Sequence, residues 1–403
     1  MGSSTAVESD RQNSQITLHG ITWDHPRAVD SIHQASEAYS SLHPGIEIDW
    51  TARPLHAFEE MPIELLAEKF DIMAIDHPFV GDGVEKSALA PLTSLVPSSR
   101  LVECKNSFMG RSFESYVWNE ELYAMPVDAA CMVSAASSNE IFSTDDPPIT
   151  WQQALETMYE LGRERVLLTA NPTHLWGTFL SLCEAHSPGP QSDFVSGPTW
   201  WHEDGIASNV GLPALEALRE LAALSSPRSL QMDPVQVLDE LSGGGPGVYC
   251  PSVFIYSTYS LKRSDRRLVT FHDAPRLGDS PVGTLTGGVG LGVSSQSQHG
   301  DKAADFVLFA TSHNVQRGLY TEAGGQPATI DAWSDDAVNA RVADLYRNTA
   351  ATMSRSFIRP RRVGYPQYQR TASRALHNMF TEGTRSETVL RTLNRMWLDV
   401  VTL

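Results

Sequence analysis

The sequence predicts an α/β protein with a doubly wound sheet, and three observations lead to this fold class. The chain opens with alternating strand-like and helix-like segments, a β-α-β-α-β order that favours parallel strands and right-handed crossovers. The third strand-like segment, FDIMAID at 70–76, is a nearly continuous apolar run, which is typical of a buried parallel strand. The 403 residues are enough for about two domains, at ~100–200 residues per domain.

The individual elements follow from periodicity and turn signals along the chain. Apolar residues at spacings of three and four predict helices, whereas alternation or short apolar runs predict strands. The predicted strands are 16–23, 46–52, 70–76, 166–170, 248–256, a segment that starts near 268, and 282–295. The predicted helices are 27–42, 58–69, 151–161, 175–186, 212–224 and 301–312. The segment 187–209 is rich in Gly, Pro and Ser, and we expect a long functional loop there.

Composition and charge narrow the classes of partner and compartment. The formal charge of −18 repels nucleic acid and anionic lipid, so neither is an expected partner. No run of ~18 apolar residues occurs, and we expect no membrane span. Residues 1–14 are polar, are predicted to be disordered, and lack the basic and apolar regions of a secretory leader. The sequence as written therefore predicts a cytoplasmic protein, or a periplasmic or extracellular one if a leader has been removed.

The cysteines and the common catalytic motifs give little support to a cofactor. Cys104, Cys131, Cys183 and Cys250 are too far apart for a CxxC metal or redox motif, and we expect them to be buried and reduced. Free thiols of this kind point weakly to a reducing compartment. The sequence contains no G-x-S-x-G nucleophile elbow and no phosphate-binding glycine loop. We therefore predict no cofactor and no resident metal.

Four stretches carry a resemblance to a known family. They are FDIMAIDHPFVG at a strand end, NEELYAMPVD at 119–128, PITWQQALE at a helix start, and the segment 283–328. The last contains a Gly-Gly turn, a strand, a helix with Ala-x-x-Phe, a Thr-Ser, a Gln and a final Gly-x-x-Pro-Ala. In these stretches, which span most of 16–370, the chain resembles the extracellular solute-binding proteins of ABC transporters, particularly the sugar-binding type.

The resemblance implies a periplasmic-binding-protein-like fold of type II. Two doubly wound α/β lobes, joined by two or three hinge crossings, would close a cleft around a ligand. Lobe one would hold 15–124 and 268–320, and lobe two would hold 125–267 and 321–403 with the C-terminal helices. The resemblance also implies a small-molecule ligand and an ABC permease as partners, and we expect a monomer. From the sequence as written we expect neither a leader nor a lipid-anchor cysteine, which is a departure from the family.

A doubled Asp-His-Pro motif follows two of the predicted strands. The first is Asp24-His25-Pro26, and the second begins with Asp76 and His77. Because both strands end at the same edge of a doubly wound sheet, these side chains could form a polar ligand site, an acid/base site or a metal site. The alternative is that each motif only starts a helix, since Asp is a favoured N-cap residue and Pro a favoured first helical residue.

Further ligand-binding candidates come from the resemblance and from their positions in loops. They are Trp23, Asp128, Trp200, Trp201, Tyr256, Gly287, Gly288, Arg359, Arg361 and Tyr365. Aromatic rings stack on the C–H faces of sugars, a carboxylate accepts hydrogen bonds from hydroxyls, and a guanidinium binds carboxylate or phosphate in fork geometry. The alternatives are core packing for the aromatic residues, a tight turn for the glycines, a surface hinge position for the carboxylate and an exposed charged run for the arginines.

Three functions remain open at this stage. The first is a binding protein that closes its cleft on a carbohydrate-like molecule or polar acid and delivers it to a permease. The second is a cytoplasmic isomerase or lyase that acts on an acidic metabolite held by Arg359 or Arg361. In that case the histidine of an Asp-His-Pro motif would be the base, and the neighbouring Asp would orient it. The third is a ligand sensor for another protein, without chemistry.

Overall fold

The structure, a computed structural model, describes residues 15–54, 61–137, 147–187, 198–278 and 283–401. The strands are β1 Ile16–Trp23, β2 Ile46–Arg53, β3 Ile72–Ile75, β4 Val117–Trp118, β5 Glu121–Leu122, β6 Ala124–Ser137, β7 Trp201–His202, β8 Gly205–Ile206, β9 Tyr249–Phe254, β10 Val269–His272 and β11 Thr286–Val293. The helices are α1 Pro26–Leu42, α2 Ile63–Ala67, α3 Val80–Glu85, α4 Leu92–Leu95, α5 Ser98–Cys104, α6 Trp151–Leu161, α7 Pro172–Ala185, α8 Ser208–Leu224, α9 Pro234–Gly243, α10 Gly300–Ala310, α11 His313–Val315, α12 Ile330–Ser334, α13 Asp336–Arg341, α14 Leu345–Arg355, α15 Tyr365–Thr381 and α16 Ser386–Val401. Short 3-10 or π turns occupy His77–Phe79, Glu114–Tyr116, Arg163–Arg165, Pro227–Gln231, Ser257–Ser260 and Gln316–Tyr320.

The main sheet combines a parallel and an antiparallel part. Its strand order is β10-β6-β11-β3-β1-β2, and β9 also pairs with β6. The opening strands β1, β2 and β3 run parallel, as the β-α-β-α-β pattern predicts. The later strand β11 joins β3 in the antiparallel sense. The predicted α/β class is confirmed, and the sheet is mixed rather than purely parallel.

Strand β6 runs through both parts of the sheet without interruption. All 14 of its residues are buried. Up to Cys131 it pairs with β11, and from Met132 onward it pairs with β9 and then with β10. Each half of this one strand therefore has its own set of partners, and its centre is the junction between the two sets.

Two hydrophobic cores pack around this sheet. The first core lies around β1, β3 and β11 with α1 and α10, and it extends to α9. The second core lies among α6, α7, α8, α15 and α16, and is rich in Trp and Tyr rings. These two cores correspond to a two-lobed molecule, whereas the chain ranges that we predict for each lobe stay a prediction.

Several predicted elements differ from the observed ones. The predicted strand 166–170 is wrong, because this segment forms one isolated bridge, Val166 with Tyr249, and no strand. Of the helix predicted at 58–69, the described residues form only α2, Ile63–Ala67. Residues 58–60 lie outside the described residues. The predicted loop 187–209 contains the β7-β8 hairpin, and its stretch 188–197 also lies outside the described residues, as do residues 1–14.

The burial of the cysteines agrees with the expectation from the sequence at three of the four positions. All four thiols are free, and Cys131, Cys183 and Cys250 are buried while Cys104 is half-buried. In the part of the chain that the structure describes, no helix is both long and apolar enough to cross a membrane.

Candidate functional site

A cavity of about 100 Å³ lies between the two cores. Trp23 of the first core and Trp176 of the second both line it. The full lining consists of Trp23, Arg27, Asp76, Ala130, Thr173, His174, Trp176, Gly177, Phe254, Tyr256, Leu285, Gly287, Gly288, Val289, Arg359 and Gln369. The ends of β1 and β3, the start of α7, and the crossing strands β6 and β11 thus contribute to one concave site.

Asp76 and Arg359 form an ion pair in the cavity wall. Arg359 Nη2 donates to Asp76 Oδ1 at 2.8 Å and to Oδ2 at 2.6 Å, and Nη1 donates to Gln369 Oε1 at 3.0 Å. Burial opposes the charge of Asp76, yet Arg359 and His77 outweigh it and hold the Asp76 pKa at about 2. The carboxylate is therefore ionised at neutral pH, and its charge is compensated inside the wall.

His77 contacts both members of this ion pair from outside the cavity lining. Its Nε2 accepts a hydrogen bond from the backbone N–H of Arg359 at 3.3 Å, which leaves the proton on Nδ1, 3.2 Å from Asp76 Oδ1. Burial and the charge of Arg359 lower the His77 pKa to about 4. His77 is only 1% exposed, and it positions Asp76 rather than reaching the cavity itself.

A second buried ion pair joins α1 to β6. Arg27 Nε donates to Asp128 Oδ2 at 2.6 Å, Nη2 donates to Oδ1, and Nη1 donates to the Ile255 carbonyl at 2.8 Å. Burial disfavours the charge on Arg27, but the attraction of Asp128 is stronger and raises the Arg27 pKa. The guanidinium lies over the Tyr256 ring, 4.4 Å from its centroid. This pair fixes one aromatic side of the cavity.

His174 comes from the first turn of α7. The Asn171 side chain caps this helix, and Pro172 is its first residue. His174 is 7% exposed, and its ring stands edge-on to Phe254 with 6.0 Å between centroids. Burial and the charge of Arg359 lower its pKa to about 3, so the imidazole is neutral at neutral pH.

Six of the residues nominated from the sequence lie in this cavity wall. They are Trp23, Asp76, Tyr256, Gly287, Gly288 and Arg359. Asp128 does not line the cavity, but it accepts a hydrogen bond from Arg27, which does. The prediction that the ends of the first and third strands face one crevice therefore matches the positions of Trp23 and Asp76.

The other nominated residues lie elsewhere. Trp200 and Trp201 stack on each other in the second core, and Trp200 Nε1 donates to Glu184 at 2.7 Å. Tyr365 is fully buried in the same core. Arg361 donates to the backbone carbonyls of the turn before β4, outside the cavity lining, and burial lowers its pKa to about 10. Trp200, Trp201 and Tyr365 therefore lie where the core-packing alternative expects them, in the second hydrophobic core.

The two Asp-His-Pro motifs do not meet. His25 caps α1, where its Nδ1 accepts the Arg27 N–H at 3.1 Å, and Asp24 is exposed. Asp76 likewise accepts the His77 N–H at 2.9 Å, so the helix-start alternative holds for both motifs. Within the described ranges, no group of His, Cys, Asp or Glu is placed to hold a metal ion.

Sequence reasoning missed the four polar cavity residues Arg27, Thr173, His174 and Gln369. A signal existed for two of them: Asn171-Pro172 is a strong helix-start pattern that places the next residues at the N-terminus of α7. No local pattern marks Gln369, which reaches the cavity from α15.

Gly288 is a backbone position in this wall that requires glycine. Its φ is +102°, and a Cβ there would overlap the Asp128 carbonyl oxygen of the paired strand. We expect Gly288→Ala to lower the free energy of unfolding by about 2 kcal/mol, measured by denaturant titration. Gly383→Ala is the matched control, because Gly383 has φ +72° and no atom within 4 Å of such a Cβ. Equal losses in both variants would contradict the steric argument.

Solved structures with this architecture are numerous. Maltose-bound MalE3 of T. maritima aligns with a TM-score of 0.78 and 16% identity, over 95% of this chain and 99% of that one. The sugar-binding protein MalE of Xanthomonas citri aligns with a TM-score of 0.74 and 13% identity, over 96% and 97%. The chain has the fold of the ABC-transporter solute-binding proteins. The predicted two-lobed, type II binding-protein fold is therefore confirmed.

Two further comparisons are a polyol complex with the same fold and a sequence match that covers part of the chain. A ribitol complex of an ABC solute-binding protein from Agrobacterium radiobacter aligns with a TM-score of 0.74 and 14% identity, over 96% and 98% of the two chains. A probable amino-acid ABC transporter periplasmic-binding protein of Sinorhizobium fredii is 29% identical over 228 residues. That match spans 55% of this chain and 46% of the relative, about half its length. No protein-family model matches the chain.

Proposed function

We propose that this protein binds a small uncharged polyhydroxyl compound, a sugar or sugar alcohol, and serves as the solute-binding component of an ABC-type uptake system. The observation that carries the proposal is the charge balance of the cavity wall. Each cation there, Arg27 and Arg359, already has a carboxylate partner, and His174 is neutral. A free acid or a free amine would meet a compensated charge, whereas hydroxyl groups can bond to either member of an ion pair.

The aromatic lining supports the same ligand class. Trp23, Trp176, Phe254 and Tyr256 line the cavity together with the polar groups. Indole and phenol rings offer flat apolar faces to the C–H groups of a sugar ring. A wall that combines such faces with ion pairs suits a molecule that has C–H faces and a hydroxyl edge.

The size of the cavity supports binding by closure. About 100 Å³ is well below the roughly 300–1,000 Å³ of typical ligand pockets. The two lobes would therefore separate to admit a sugar and close again around it, as in hinge motion. Strand β6 is suited to this motion, because a twist at its centre moves the two sets of paired strands without breaking a ladder.

The ligands for which the related proteins are named fall into two classes. The structural neighbours include complexes with maltose and with ribitol, whereas the sequence relative is named for amino acids. An amino acid carries a free carboxylate and a free ammonium group, and among the described lining residues the cavity offers neither of them an oppositely charged side chain that is not already in an ion pair. The charge balance favours the sugar class.

The test is binding of maltose, ribitol and D-tagatose compared with L-glutamate and L-histidine. We expect at least one sugar or polyol to raise the melting temperature and to give a calorimetric isotherm, while the amino acids do neither. A ligand at 100 times its Kd stabilises the fold by about 2.7 kcal/mol, which a thermal-shift assay detects. Stabilisation by an amino acid without any effect of the three polyhydroxyl compounds would overturn the proposal.

A pair of matched variants connects this binding to the cavity. Arg359→Gln removes the cation that holds Asp76, and we expect it to weaken sugar binding at least tenfold. Arg228→Gln removes an arginine that is also paired with carboxylates, those of Glu164 and Glu240, but outside the cavity. The control should bind as the wild type does, and equal weakening in both would place the ligand elsewhere.

A further inference from the structure

The hydrogen bonds of Asn171 fix the proton of the His174 ring. Asn171 Oδ1 accepts the backbone N–H of His174 at 3.0 Å. A backbone N–H is always a donor, so this amide atom is the oxygen and not the nitrogen. The same oxygen lies 2.7 Å from His174 Nδ1, and therefore Nδ1 carries the proton and donates it. In a neutral imidazole the lone pair is then on Nε2.

The free lone pair belongs to a residue of the cavity wall. His174 lines the cavity, and in the part of the chain that the structure describes nothing donates to its Nε2. The cap at Asn171 holds the ring in this orientation, and the edge contact with Phe254 restricts it further. The start of α7 thus presents one uncharged hydrogen-bond acceptor to the ligand.

Arg359 supplies the complementary donor. Its two terminal nitrogens are occupied by Gln369 and Asp76, and its backbone N–H is taken by His77. The remaining Nε–H has no partner among the described residues, although Arg359 is only 6% exposed. A buried guanidinium N–H without a partner is costly, so a ligand atom that accepts from it gains that energy on binding.

We propose that His174 and Arg359 both bind ligand hydroxyl groups, with a ligand O–H donating to His174 Nε2 and a ligand oxygen accepting from Arg359 Nε–H. This inference rests on the proposed function and deepens it. A hydroxyl is the group that can give and take a hydrogen bond at the same atom. A carboxylate has no proton for Nε2, and an ammonium has no lone pair for Nε–H. A carboxylate alone or an ammonium alone therefore satisfies only one of these two atoms, whereas a hydroxyl suits either.

Calorimetric titration with maltose and ribitol tests the pair in the full chain. We expect His174→Phe, which keeps a ring beside Phe254 but has no acceptor, to weaken binding of the bound compound by about tenfold to a hundredfold. His174→Gln keeps an acceptor oxygen and should lose less. His377→Phe is the matched control, because His377 is similarly buried and bonds to the Leu230 carbonyl outside the cavity.

Nitrogen NMR of the histidine rings gives a second readout that a packing role would not move. With His174 assigned by comparison with the His174→Gln spectrum, the free protein should show the Nδ1–H tautomer, and sugar addition should shift the Nε2 signal. Sugar binding that His174→Phe leaves unchanged, or an Nε2–H tautomer, overturns this inference alone. Failure of maltose, ribitol and D-tagatose alike to bind the wild type overturns the proposed function as well.

Discussion

Asp128→Asn is expected to lower the free energy of unfolding by about 3–5 kcal/mol. Asp128 is 1% exposed and is the ion-pair partner of Arg27, which is itself 4% exposed. The amide keeps the shape of the side chain but leaves a buried guanidinium without its counter-ion. The loss is measured by denaturant titration monitored by circular dichroism, with the slope checked for two-state behaviour.

Two further variants separate the charge effect from general damage. Glu64→Gln removes a carboxylate that pairs with Lys86 at the surface, where both side chains are well exposed, and it should cost less than about 1 kcal/mol. The double variant Arg27→Met with Asp128→Leu removes both charges, and it should recover a large part of the loss. An Asp128→Asn protein within 1 kcal/mol of the wild type would show that the pair contributes little.

Acidification from pH 7 to pH 5 is the second change with a large expected effect. Burial lowers the pKa of His25, His77 and His272 to about 4 and that of His174 to about 3. In the unfolded chain these rings return to a pKa of ~6.5, so the unfolded state binds protons first. Above about pH 6.5 these rings are neutral in both states and do not lower the free energy of unfolding. As the pH falls from there toward their pKa values in the folded state, the free energy of unfolding decreases.

The two most buried rings allow a magnitude to be given. His77 and His174 should each lower the free energy of unfolding by about 2 kcal/mol when the pH falls from 7 to 5. Burial raises the pKa of Glu184 and Asp273, and these two carboxyls act in the opposite sense as they take up protons at lower pH. The measurement is urea unfolding at pH 7, 6 and 5, and His174→Phe should show a shallower pH dependence than the wild type. Superimposable pH profiles would contradict the contribution of His174.

The opening half of the site was predictable because it depends on local patterns. The strand β1 and the run that contains β3 were predicted from periodicity, and the parallel rule places Trp23 and Asp76 at the same edge of the sheet. His174 was missed since the predicted helix began at 175, three residues after the observed start at Pro172. That small error left the Asn171 cap and the whole first turn outside the helix.

The remaining errors come from contacts between distant parts of the chain. Trp200 and Trp201 follow a stretch of sequence rich in Gly, Pro and Ser, and nothing near them in sequence shows that Trp397 of α16 packs against Trp201 at 5.2 Å between ring centroids. The segment 166–170 has strand-like residues but reaches the sheet through a single bridge, so tertiary packing decides its conformation.

The pairing of Asp76 with Arg359 also has a consequence for how the chain is made. These residues are 283 positions apart, so a chain leaving the ribosome exposes Asp76 and Trp23 long before their partner from the C-terminal quarter is synthesised. Contacts of such long sequence separation form late, because the loop between them must close first. The cavity is therefore among the last parts of the molecule to be completed, and a nascent or C-terminally truncated chain would present an aromatic surface with an uncompensated acid to the quality-control machinery.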